Sequence, residues 1–246
     1  MWNLDKHGCA DFSSRGWRLR TLCLPEGIQL AVTHDMSAPS VGSISLLRHP
    51  MPVLAESFIR GDELHLSMPP TATTQAGLAL ALLVVQATQD CFVVESTLSI
   101  ETLLLDAYPT VVLGLAGEGA LVDYVEGSAR VFTREPGVVT QEGGAVRQEP
   151  GVVAQEGGAV RQENDSNPLG PPNRPPLSVL VDRRDQPSLD VSSGTDPSLR
   201  FFADFMEKGV IRKTQPWWVW TSATADPTRV RELVKELAKR PLPLTN

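Results

Sequence analysis

Three tryptophans within four positions, Trp217, Trp218 and Trp220, have the type and spacing of a binding surface, because flat aromatic rings stack on sugar faces and on other π systems. In an extended chain alternate residues share a face. Trp218 and Trp220 therefore fall with Val210 and Arg212, and Trp217 falls with Ile211 and Val219. Trp218, Trp220 and Arg212 are the candidate binding residues. Large apolar groups on both faces of one strand also mark a core strand, and tryptophan is usually mostly buried, so the core reading weighs ahead of the ligand platform. A polar candidate is Glu63 with His65, two apart on one face of a strand with Ser67 next in line. A carboxylate beside an imidazole is the pairing of general acid–base chemistry, although the wetted face of a half-buried strand looks the same.

Other reactive types are scattered. His7, His34, His49 and His65 have no spacing that sets two on one face, and Cys9, Cys23 and Cys91 include no pair at the two-residue spacing of a zinc clamp or redox couple. Neither a metal site nor a cofactor is expected. Gly114, Gly117 and Gly119 match neither a dinucleotide fingerprint nor a phosphate loop, and no Gly-x-Ser-x-Gly elbow or paired-histidine zinc motif occurs. Arg60-Gly61-Asp62 spells an adhesion tripeptide but reads as a hairpin turn between two strands.

The formal net charge of -7 offers no positive field for a phosphate backbone or an anionic lipid, so nucleic acid is not expected as a partner. The longest apolar run, 78–85, is far short of the roughly 20 residues that span a membrane. The first residues lack the basic stub and apolar stretch of an export signal, and the odd cysteines read as reduced thiols. A soluble, cytoplasmic protein is the expectation, with a protein or a carbohydrate left as partner.

The elements that must position these residues are mostly strands. Short apolar runs and two-residue alternation, broken by Gly, Pro and Asp, predict strands over 17–24, 28–33, 41–47, 53–60, 63–68, 78–88, 91–105, 110–115 and 121–132. From Phe92 the alternation is cleanest, setting Phe92, Val94, Leu98 and Ile100 against Glu95, Thr97, Ser99 and Glu101. The run 78–85 is apolar on both faces, with small Ala79 and Ala81 opposite the leucines, and reads as a central strand covered on both sides, with an Ala-rich helix as its rival.

From Glu135 the unit EPGVVTQEGGAVRQ is followed by EPGVVAQEGGAVRQ, a tandem duplication with one difference. Its seven-residue period is not a coiled coil, because Gly or Pro-Gly recurs in every unit. Residues 134–176, ending in a proline-rich tract, are expected to be a disordered insertion, with a hairpin over 138–147 as the alternative. Deleting 149–162 should then leave Tm nearly unchanged.

Beyond it a strand is predicted over 177–181. A helix over 196–209 follows from Asp196-Pro197 as its start and Gly209 as its stop, then a strand over 209–221 whose Pro216 fits an edge or a bend and not a central position, then a helix over 226–240. The fold class is mainly β, a β-sandwich-like arrangement of about ten strands with two C-terminal helices, and α+β as the alternative. Residues 1–133 and 177–246 are expected to complete one domain around the insertion.

The segments FIRGDEL (58–64), LSIETLLLDAYP (98–109), FMEKGVIRK (205–213) and PLPLT (241–245) resemble a family of uncharacterised bacterial proteins. The resemblance implies no activity and no residue roles, but its segments lie on both sides of the insertion. Strand richness without catalytic signatures favours a non-catalytic binding or interaction module. The alternative is a carbohydrate-active, epimerase-like β-sandwich using carboxylates or histidine.

Overall fold

Residues 1–5, 8–116, 120–125, 128–133, 174–182, 188–190 and 198–222, with Thr228, Glu232, Leu233, Lys235, Glu236 and Lys239, are described by a computed structural model of the chain. In order, the strands are β1 (Trp2–Leu4), β2 (Ala10–Ser14), β3 (Trp17–Leu24), β4 (Gly27–His34), β5 (Ser40–Leu46), β6 (Glu56–Arg60), β7 (Glu63–Met68), β8 (Ala76–Ala87) and β9 (Cys91–Thr102). There follow β10 (Val111–Leu115), β11 (Ala120–Val125), β12 (Ser128–Thr133), β13 (Leu177–Val181), β14 (Ser188–Asp190), β15 (Ser198–Phe201), β16 (Arg212–Thr214) and β17 (Trp217–Thr221).

Antiparallel pairing sorts these into two sheets. The first runs β1-β2-β3-β4-β5-β10-β15-β14, and the second runs β11-β12-β13-β17-β9-β8-β7-β6, with β16 also paired to β9. Strands from before and after the repeat insertion share both sheets: β10 pairs with β15, and β9 with β17. Residues 134–173 of the insertion, and with them the hairpin considered within it, lie outside the described residues; at its end the carbonyl of Pro176 accepts from the N–H of Thr221 at 3.1 Å.

Alternation decides which side chains meet between the sheets. In β3 Trp17, Leu19 and Thr21 turn inward and are buried, while Arg18 and Arg20 are exposed. Trp17, Leu19, Ile28, Leu30 and Ile44 of the first sheet share one core with Leu64, Leu80, Phe92, Leu98 and Trp220 of the second. Each such side chain contributes roughly 1.5–3 kcal/mol by leaving water. The indole N–H of Trp17 crosses between sheets to donate to the carbonyl of Thr88 at 2.7 Å, and that of Trp2 donates to the carbonyl of Asp62 at 3.0 Å.

Several expectations are corrected. Residues 196–209 contain no helix among the described residues: 198–201 form β15, with Leu199 and Phe201 buried opposite β10. Phe202 then takes φ 61, which breaks any helical continuation. The apparent stripe of Phe201, Phe202, Phe205 and Met206 mimicked a helical period, but the two-residue alternation of 199 and 201 prevails once a sheet edge is there to pair with. The helix expected over 226–240 is not overturned: most of that segment lies outside the described residues, and of those described Thr228, Glu232, Leu233, Lys235 and Glu236 are helical, with Leu233 buried. The single strand expected over 121–132 is the β11–β12 hairpin. The strand expected over 209–221 is two pieces, and its second piece, β17, is central, flanked by β13 and β9.

Candidate binding face

Trp218 and Trp220 lie between the sheets, both 0 % exposed, and they form no open platform. Their rings stack at 6.3 Å and 14°, and Phe92 follows Trp220 at 6.1 Å. The Trp218 N–H donates to Ser96 Oγ at 3.0 Å, and that hydroxyl donates in turn to the carbonyl of Pro216 at 3.0 Å. Trp220 Nε1 is buried without an acceptor among the described residues. Arg212 is not brought to these rings: its guanidinium donates to the carbonyl of Phe205 at 2.8 Å and lies 3.6 Å from Asp204, tying down the chain before β16. Trp218 and Trp220 are core residues.

Trp217 points the other way, to the outer face of the second sheet. There it joins a separate buried cluster with Cys91, Val93, Leu180, Val219 and Leu233, and its N–H donates to Glu95 Oε2 at 3.1 Å. This cluster covers one end of the outer face and stops at Glu95.

The rest of that face is where Glu63 and His65 sit. Register places Glu63, Leu83, Glu95 and Trp217 in one cross-strand row, His65, Ala81 and Thr97 in the next, and Ser67, Ala79, Ser99 and Lys213 in a third. Directly paired residues share a face, so beyond Leu83 strand β8 contributes small Ala81 and Ala79 between taller polar neighbours on β7 and β9, and Gly77, the next on this face, is buried beneath Pro70. Ala79 is exposed, which corrects the expectation that 78–85 is covered on both sides. Leu78, Leu80 and Leu82 are buried inward, half-buried Leu83 stands at one end of the outer face, and Ala81 and Ala79 beyond it are the floor of a groove.

One wall carries His65, whose Nε2 is 2.9 Å from Glu63 Oε2, a close approach without the alignment of a hydrogen bond. Phe58 stacks on the imidazole at 4.8 Å and 8°, which fixes the ring's plane. The other wall carries Thr97, held by the amide of Gln215 at 3.2 Å, and Ser99. Toward one end the groove deepens into a cleft between Ser67, Pro69, Ala79, Ser99, Glu101 and Ile211.

Glu63 and His65 thus stand together as the sequence suggests, whereas the groove they border could be read only in part. Glu95, Thr97, Ser99 and Glu101 were legible as a wetted face; Phe58, Lys213 and Gln215 carried no signal that they share it. No group of three or more His, Cys, Asp or Glu able to hold a metal occurs among the described residues. No helix among them is long and apolar enough to cross a membrane. No protein-family model matches the chain, and no curated protein matches it.

Proposed function

We propose that this chain is a non-catalytic binding module that takes a neutral, polyhydroxylated ligand of the carbohydrate class along the β8 groove. The observation that carries the reading is the small floor, exposed Ala79 and half-buried Ala81, between walls of hydroxyl, imidazole, amide and carboxylate groups on the neighbouring strands. Such walls pair with sugar hydroxyls in both directions, and the small floor lets a flat ring approach the sheet. Among the described residues four carboxylates on this face, Glu56, Glu63, Glu95 and Glu101, against the two cations Arg60 and Lys213 disfavour an anionic ligand.

An acid–base enzyme acting on carbohydrate is the second reading, motivated by the 2.9 Å approach of Glu63 and His65. Their side chains are 43 % and 26 % exposed on a shallow surface, not enclosed in a pocket that excludes water, and this favours binding over catalysis.

The test is an amide NMR titration of the full chain with chitotetraose and cellotetraose. Shifts confined to His65, Ala81, Thr97 and Ser99, abolished in Ala81→Trp, are expected. Shifts elsewhere, or an Ala81→Trp variant that binds as before, would overturn the reading. Sugar turnover would favour the enzyme instead.

A further inference from the structure

Strand β6 ends the second sheet and has no partner on its outer side among the described residues. Its sequence is Glu56-Ser57-Phe58-Ile59-Arg60, and Glu56, Phe58, Ile59 and Arg60 are all exposed. An exposed edge strand is a template for another strand, and proteins usually blunt it with proline, lysine or covering chain. Strand β6 has neither proline nor lysine, the chain that comes near it, β1 and Gly8 beside Ser57, adds no strand to its edge among the described residues, and both Phe58 and Ile59 leave about two-fifths of their surface in water, at 40 % and 39 %. We infer that β6 pairs antiparallel with β6 of a second copy of this chain, about a two-fold axis at Phe58.

The register follows from the sequence itself. Turning β6 against its own copy with Phe58 opposite Phe58 sets Glu56 opposite Arg60 and Arg60 opposite Glu56, so both ends of the ladder carry opposite charges. Residues 56, 58 and 60 share one face, so the two ion pairs flank the aromatic pair on the same side.

The backbone agrees with this choice. Arg60 and Glu63 close a two-residue turn, Gly61-Asp62, with Gly61 at φ 61, the first-position glycine of a type II′ hairpin. Alternation from that turn makes Arg60, Phe58 and Glu56 the residues bonded to β7, which turns the N–H and C=O groups of Ser57 and Ile59 to the free edge. A two-fold at Phe58 pairs Ser57 with Ile59 of the other copy, satisfying those groups. It also makes Phe58 opposite Phe58 a non-hydrogen-bonded pair, the kind in which side chains lie closest. One face of the Phe58 ring is already occupied by His65, and its bare face is what the second ring covers.

This does not depend on what the groove binds. Sedimentation velocity on the full chain, from micromolar to millimolar, tests it, with circular dichroism confirming that each variant is folded. The wild type should show a monomer–dimer equilibrium. R60E and E56R should each weaken dimerisation about tenfold or more, since each sets like charges opposite one another twice. The double variant E56R/R60E should restore it. A monomeric wild type, a dimer indifferent to R60E, or a double variant no better than the singles would each overturn the inference.

Discussion

The ring of Trp218 lies directly on the backbone of Gly42 in the facing sheet: a Cβ built at Gly42 would come within 2.8 Å of Cε3 and closer still to Cζ3. This contact joins the two sheets at the middle of the core, and it requires a residue without a side chain. Gly42→Ala is therefore expected to cost about 1–3 kcal/mol by overpacking. Urea denaturation reads it; a change of no more than a few tenths would mean that the sheets are not in contact there.

The two inward tryptophans differ in one respect that a paired substitution exposes. Trp218→Phe loses volume and also the hydrogen bond to Ser96, whereas Trp220→Phe loses volume but removes a buried N–H with no acceptor among the described residues. Trp218→Phe should be the more destabilising by at least about 1 kcal/mol. Equal losses, or the reverse order, in denaturant midpoints would contradict these roles.

Cys23 gives a pH-dependent signal. Burial, and secondarily the nearby Cys9, push its thiol from the ordinary 9.0 up to about 11. The folded chain thus holds this proton more tightly than the unfolded chain does. The resulting stabilisation is present below about pH 9 and is lost as pH rises through about 11. Alkylation of Cys23 by iodoacetamide, followed by mass spectrometry, should be negligible at neutral pH and rise toward pH 11. A midpoint at or below the ordinary value would show that the thiol is not buried as described.

How much of this was legible depended on whether a local pattern had a single meaning. Residues 17–24 were read with their bounds intact because arginine alternates with buried apolar residues, a pattern only a half-wetted strand makes. The phenylalanines near 201–205 fit two periods at once, and only the pairing with β10, far away in sequence, chose between them. Adjacent tryptophans at 217 and 218 could mark core or platform. Their burial is settled by Gly42 on one side and by Leu180 and Leu233 on the other, none of which is near them in the chain. Ala79 and Ala81 were seen as small and apolar, but residue size does not say whether anything lies above it, so the groove stayed hidden while its wetted wall at 95–101 was visible.

The bareness of the β8 floor is tested most directly by placing a thiol on it. Ala79→Cys in the full chain, labelled with maleimide at neutral pH and resolved by mass spectrometry, should react within about tenfold of the rate in the denatured chain, because Ala79 is exposed. Protection by several hundredfold would mean that another part of the molecule covers this face, and the groove would not be a binding site.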